Sequence, residues 1–129
     1  MSNAINVRVV SPITTKGFRK DSDFDTIRNS DLNISHSQIE IGPASIETEF
    51  DEAMCQPDTI LKIIDAENEG CDAAVIDCMG DPGLKGAREC VSIPVVGPCE
   101  TAMHYASMLG HKFTVLTVLE RTKPLIENL

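Results

Sequence analysis

Ala73-Ala74-Val75-Ile76-Asp77-Cys78-Met79-Gly80-Asp81-Pro82-Gly83-Leu84 is an apolar run that stops at a cysteine, followed by a glycine and then an Asp-Pro pair of the kind that opens helices. That order reads as a buried strand, a thiol at the strand's carboxyl end, a tight loop and a helix. In open α/β sheets, ligands bind outside the carboxyl ends of the strands. A thiol placed there, near helix amides that favour its anion, has the setting of a reactive group rather than of a core filler.

The flanking sequence extends the pattern in both directions. Ile5 to Val10 reads as a first strand, ended by Ser11-Pro12 because proline cannot continue a central ladder. Lys16 to Leu32 is polar and acidic, with room for one short helix. Ile34 to Ile41 alternates imperfectly and is rich in Ser and His, which suits a strand near a sheet edge, and Gly42-Pro43 punctuates it. Glu47 to Glu69 reads as helical with an interruption at Pro57, where a new helix would begin. Ile60, Leu61, Ile63 and Ile64 then form an apolar stripe, and Gly70 is a C-terminal stop. Ala73 to Ile76 is the central strand, Pro82 to Cys90 a short helix and Ile93 to Val96 a further strand. Cys99, Ala102, Met103, Ala106 and Leu109 recur at helical spacing before Gly110. Phe113 to Leu119 reads as a last strand and Arg121 to Leu129 as the start of another helix. Ser2-Asn3-Ala4 reads as a tag remnant and is given no weight. Strands alternating with helices over short connections imply an α/β fold, a parallel sheet flanked by helices.

Composition sets outer limits. The chain has 129 residues, enough for one domain with a real core. Hydrophobic residues make up 42%, and no apolar run reaches membrane-spanning length, so a soluble protein without a membrane partner is expected. Eleven basic against 20 acidic residues give −9, which argues against nucleic acid or an anionic membrane as partner. Cys55, Cys71, Cys78, Cys90 and Cys99 form an odd set with no secretory leader, so free thiols in the cytoplasm are expected. No Cys-x-x-Cys pair is present, so no structural zinc or other metal is expected. Apart from Cys78, each cysteine is expected to be a small buried hydrophobe.

Cys78 leads the candidates for chemistry. Asp81 is placed to cap the helix that Pro82 begins, which would turn the free amides of the first turn towards the loop. Such amides stabilise a thiolate or an anionic group on a substrate. Asp81 itself either raises the thiol pKa or accepts the thiol proton, and the residues alone leave both open. Ser11-Pro12-Ile13-Thr14-Thr15 brings hydroxyls to the same edge of the sheet, though a turn bonding its own backbone accounts for them equally well. Glu100-Thr101 sits in the first turn of a helix, where an acid is stabilising without any catalytic role. His36 and His104 read as structural or surface histidines. The glycines from Gly80 to Gly86 match neither the phosphate-loop nor the dinucleotide pattern.

Val75-Ile76-Asp77-Cys78-Met79-Gly80-Asp81-Pro82-Gly83-Leu84, with Ala87-Arg88-Glu89 and Ile93-Pro94-Val95-Val96-Gly97, resembles the hydantoin racemase branch of the aspartate/glutamate racemase superfamily. Gly42-Pro43-Ala44-Ser45-Ile46-Glu47 and Lys112-Phe113-Thr114-Val115-Leu116-Thr117 are similar to it in the same order. The resemblance implies a flavodoxin-like half of a two-half fold with the active site between the halves. Residues 1–97 would form the first half and 98–129 the beginning of a truncated second. It implies cofactor-independent racemisation of an amino-acid or 5-substituted hydantoin derivative, in which one cysteine removes the α-proton and a second, on the opposite face, supplies one. Cys78 matches the first catalytic cysteine. Pro12, Thr14, Met79, Gly80 and Thr101 fall where members line the substrate pocket. No cysteine of this chain matches the second. A one-cysteine decarboxylase or isomerase on the same scaffold, or a non-catalytic oligomerising fragment, are the competing readings. A lone half would expose apolar surface, so a homo-oligomer is expected.

Overall fold

The computed structural model describes residues 4–127. Four strands form one parallel sheet: β1 (Ile5–Ser11), β2 (Leu32–Gln38), β3 (Ala73–Ile76) and β4 (Val95–Val96), in the order β2-β1-β3-β4. Val9 pairs with His36 on one side and Val75 on the other, and Val75 pairs in turn with Val96. The edge position expected for the Ser- and His-rich strand is that of β2. The connection from β1 to β2 runs through residues 12–31 with a single 3-10 turn at Asp21–Phe24. The other crossovers are helical: α1 (Glu49–Asn68) and α2 (Leu84–Cys90). After β4 come α3 (Pro98–Leu109) and α4 (Lys123–Glu127).

The core is the apolar stripe of α1 and α2 laid on the two central strands. Val10, Ile63, Ala74, Ile76, Leu84, Ala87 and Val95 are buried together, and Ile60, Cys78, Val91 and Ile93 pack against them. Gly86 lets α2 approach α1 closely, since a Cβ there would stand 3.0 Å from Ile60 Cδ1. Thr48 caps α1 by accepting a hydrogen bond from the Asp51 amide, and the Thr48 hydroxyl donates to the Asp51 carboxylate.

Two expectations are overturned. Pro57 does not interrupt α1, which runs unbroken through it. The missing N–H leaves the Ala53 carbonyl without its helical partner, and both residues are exposed. Packing of Thr59, Ile63 and Ala66 beyond the proline holds the helix together. Pro57→Ala restores the bond and relieves the ring, so it is expected to stabilise the protein by ~2 kcal/mol. A thermal melt checks this, and an unchanged or lowered midpoint would show that the helix has already absorbed the proline.

The expected strand at Phe113–Leu119 does not form. Residues 112–118 are exposed and join no ladder. A strand exists only by pairing, and the neighbouring edge, β4, offers two residues. This stretch and the outer face of α3 are apolar: Tyr105, Met108, Leu109, Leu116 and Val118 are each at least 60% exposed. Cys99 is the one buried residue of α3. The helix expected from Arg121 is realised as a 3-10 turn at Glu120–Thr122 and α4; its end, Asn128-Leu129, lies outside the described residues, as does Ser2-Asn3.

Candidate active site

Parallel pairing brings the carboxyl ends of β1 and β3 side by side, with the Asp77 amide donating to the Val10 carbonyl at 2.8 Å. The next residues on each strand therefore meet. Ser11 Oγ donates to Asp77 Oδ2 at 3.0 Å and lies 2.9 Å from His36 Nε2. Arg19, from the β1–β2 connection, grips both Asp77 oxygens at 2.6 Å through Nε and a terminal nitrogen. Burial alone pushes the Asp77 carboxyl up, but the hydrogen bonds from Arg19 and Ser11 outweigh it and hold it below its ordinary value. His36 is drawn below its usual value mainly by burial, against the pull of Asp77. The chain His36–Ser11–Asp77–Arg19 pins the polar connection to the sheet immediately beside Cys78.

Cys78 stands on a wall shared by two cavities. One, of about 470 Å³, is lined by Pro12, Ile13, Phe18, Arg19, Ser45, Ile46, Asp77, Cys78, Met79 and Pro98. The other, of about 320 Å³, also takes in Ser45, Ile46, Cys78 and Met79, and adds Gly80 and part of the 115–119 stretch. Both volumes suit a small organic molecule. The apolar walls explain the thiol's state. Burial pushes the Cys78 pKa up, the Gly80 amide opposes it, and the carboxylates of Asp81, Glu52 and Asp77 raise it further. The expectation that helix amides favour its anion is corrected by this geometry.

Asp81 adds to the effect of burial. It does not cap the helix after Pro82: that helix, α2, starts from Gly83, whose φ of 78° takes the left-handed conformation at the cap. Asp81 is itself left-handed, at φ 46°. Its carboxylate instead accepts the amides of Cys99 at 3.0 Å and Glu100 at 2.7 Å, at the start of α3. Glu100 pairs with Arg88 through both oxygens, at 3.1 and 2.7 Å. The first-turn acid is thus structural, tying α2 to α3.

Of the residues singled out from sequence, Pro12, Cys78 and Met79 meet at the larger cavity and Gly80 at the smaller. Thr14 lines neither; its amide and hydroxyl donate to the Pro43 carbonyl at 2.9 and 3.2 Å, and the Thr15 hydroxyl donates to the Ala44 carbonyl at 2.6 Å. These bonds hold the 42–46 loop in place, so that Ser45 and Ile46 reach the cavity. Thr101 is exposed and touches neither cavity, its amide donating to the Gly97 carbonyl. Among the other cysteines, Cys55, Cys71 and Cys99 are buried, whereas Cys90 is exposed, contrary to expectation. Among the described residues, no group of three or more His, Cys, Asp and Glu is placed to hold a metal ion.

The family model for Asp/Glu/hydantoin racemases matches residues 25–129. The chain belongs to that family. It is 42% identical to a hydantoin racemase of Pseudomonas sp. (strain NS671) over 97% of this chain and 51% of the relative. It is 41% identical to one from Rhizobium meliloti over 80% of this chain and 43% of the relative. The fold superposes on the allantoin racemase of Klebsiella pneumoniae with a TM-score of 0.85 at 30% identity, covering 97% of this chain and 52% of that one. It superposes on the allantoin racemase of Pseudomonas fluorescens at 0.84 and 27% identity. The chain thus spans about half the length of the racemases it matches.

Within this chain, sequence reasoning missed Arg19, Phe18, Ser45, Ile46 and Pro98 as cavity residues. Arg19 had no local signal, because its partner Asp77 lies 58 positions away. Ser45 and Ile46 belong to a quoted motif, Gly42-Pro43-Ala44-Ser45-Ile46-Glu47, whose place at the site only the fold reveals.

Proposed function

We propose that this chain carries the Cys78 face of a cofactor-independent racemase acting at the carbon beside a carbonyl in a 5-substituted hydantoin or related amino-acid derivative. The observation that carries the reading is Cys78 on the wall of two ligand-sized cavities at the end of a central strand, in a chain whose relatives are named hydantoin and allantoin racemases. As thiolate, Cys78 removes the α-proton: the C–H bond breaks, an S–H bond forms, and the electron pair moves onto the carbonyl oxygen as an enolate. The enolate is planar, so return of a proton from the same sulfur restores the starting enantiomer. Inversion needs a donor on the opposite face. Among the described residues, no cysteine other than Cys78 lines either cavity, and this reading assigns the opposite-face donor to a second copy or to further chain. Pro12, Met79 and Gly80 would contact the substrate beside the thiol, with Thr14 acting through the loop it ties down. Thr101 stands apart.

The exposed apolar face of α3 and residues 113–118 supports a second copy, or further chain, packing there to complete the site.

One experiment separates the readings. Single enantiomers of a 5-substituted hydantoin are incubated with the chain in deuterated water, and deuterium content and configuration are followed together. One enantiomer is expected to exchange its α-hydrogen with retention, which is the signature of a single base on one face. Release of carbon dioxide from malonate-type substrates without such exchange would identify a one-cysteine decarboxylase. No exchange, together with a Cys78 inert to alkylation and a stable oligomer, would identify an assembly module.

A further inference from the structure

Arg19 holds Asp77, but holding one carboxylate uses only part of a guanidinium. Nε donates to Asp77 Oδ2 and Nη2 to Asp77 Oδ1, each at 2.6 Å. A guanidinium carries five N–H donors in a rigid fork. The two hydrogens on Nη1 and the second on Nη2 have no hydrogen-bond partner among the described residues. The group is also fixed in place, with Asp77 along one edge and the Phe18 ring centroid 5.2 Å from Cζ. Its free edge therefore keeps one direction. Arg19, Phe18, Asp77 and Cys78 all line the larger cavity. The Arg19 side chain is 37% exposed against 16% for Asp77, so a molecule entering there reaches the cation more readily than the carboxylate. Among the described residues, Arg19 is the one basic side chain on either cavity that Cys78 borders.

We propose that Arg19 binds the substrate's carbonyl oxygen through these free N–H groups and stabilises the negative charge that arrives on it when Cys78 takes the α-proton. The inference deepens the racemase reading and rests on it. The C–H bond breaks, the S–H bond forms, and the electron pair becomes the charge of the enolate oxygen. Arg19 only donates hydrogen bonds and gives up no proton. It is well suited to that part, because its hydrogen bond to Asp77 raises its pKa against the opposing effect of burial and keeps it a cation. The site needs such a group. The carboxylates of Asp81, Glu52 and Asp77 already act on Cys78, and an enolate adds a further anion beside them. Donors fixed in advance where charge develops give the largest electrostatic stabilisation, above all between apolar walls such as Pro12, Ile13, Ile46 and Met79. The ligand class is accordingly one that presents an anionic or strongly accepting oxygen: an imide carbonyl or a carboxylate next to the reacting carbon.

The test compares how fast iodoacetate and iodoacetamide label Cys78 in the full chain, resolved by peptide mass spectrometry. Both reagents need the same thiolate and similar access, so their ratio cancels changes in either and reports the pull of the cavity on a carboxylate. Arg19→Gln is expected to lower the iodoacetate-to-iodoacetamide ratio about fivefold or more at low ionic strength, and by less as salt rises. Asp77→Asn removes the competing carboxylate and keeps the cation, so its ratio is expected to hold or rise. Cys55, buried and with its thiol pushed up to about 12, stays unlabelled in a folded chain, so the same peptide map reports whether each variant has folded. An unchanged ratio in Arg19→Gln, or a fall in Asp77→Asn as large as in Arg19→Gln, would overturn the proposal and leave Arg19 as a clamp for Asp77. In α-hydrogen exchange, Arg19→Gln is expected to lower kcat about 10²-fold while KM moves much less. An unchanged kcat would also overturn it. The labelling ratio is independent of turnover: if Cys78→Ser still exchanged substrate hydrogen, the assignment of the base would fall while the ratio at Cys78 was still measured.

Discussion

Gly97→Ala is expected to cost about 4–6 kcal/mol, enough to remove most of the stability of a domain of this size and leave little soluble protein. The strain is steric. Gly97 has an ordinary φ of −99°, so any residue could adopt its backbone. A Cβ there would lie 2.5 Å from Asp81 Cγ and Oδ2 and 2.6 Å from Leu84 Cδ2. Neither neighbour can step aside, since Asp81 is 3% and Leu84 4% exposed. Asp81 is further fixed by the two amides it accepts from α3, and moving it away breaks both bonds while leaving a buried carboxylate unpaired. Urea unfolding measures the loss. Asp81→Ala alone also destabilises, by removing the α3 cap, but it clears the space that the new methyl needs. The double variant is therefore expected to be more stable than the sum of the two single losses, a coupling that a thermodynamic cycle isolates. A Gly97→Ala protein melting within a degree or two of the parent would show that this joint is looser than its distances.

The same joint marks where the sequence stopped being informative. The strand before Cys78 and its position at the sheet's carboxyl edge were legible in the apolar run and its punctuation, which are local signals. The helix that Asp81 serves was not. Asp-Pro ahead of a helical segment reads as a cap for that segment, and only the approach of Gly97-Pro98-Cys99 in space gives the carboxylate a better pair of amides. Arg19 and Asp77 are a similar case, since each looks like a solvated charge until parallel pairing of β1 and β3 brings the connection over the strand end. Pro57 shows the reverse: the local rule is sound, but burial of Ile63 and Ala66 on either side of the next turn overrides it. For Phe113–Leu119 the β-forming composition is real and the ladder partner is what the described residues lack. The hydroxyls of Thr14 and Thr15 illustrate the limits of a motif. The resemblance places Thr14 at the substrate pocket, and the residues alone suit a turn equally well; in the fold Thr14 and Thr15 brace the loop that carries Ser45 and Ile46 to the cavity.

Cys78→Ser is expected to lower the rate of α-hydrogen exchange by about 10³-fold or more, the upper part of the range for loss of a general base. A serine hydroxyl occupies nearly the same space, so the cavity and fold persist, but it is far too weak an acid to supply an anion near neutral pH. The pH dependence gives the result its sign. Burial and the carboxylates of Asp81, Glu52 and Asp77 place the Cys78 pKa above its usual value, with only the Gly80 amide opposing. The thiolate fraction, and with it the exchange rate, should therefore climb as pH rises through and beyond neutrality, flattening only above the ordinary thiol range. The serine variant should lack that climb. Stability responds in the opposite direction: a thiol whose folded pKa is raised favours the folded state while protonated, and that contribution fades as pH rises past the unfolded thiol value towards the folded one. Activity and stability are thus expected to diverge on the alkaline side, with exchange speeding up while the melting temperature falls. Parallel exchange and melting series across the same buffers measure both. A Cys78→Ser protein that kept more than a tenth of the parent rate, or a parent whose rate fell with rising pH through neutrality, would remove Cys78 from the role of base.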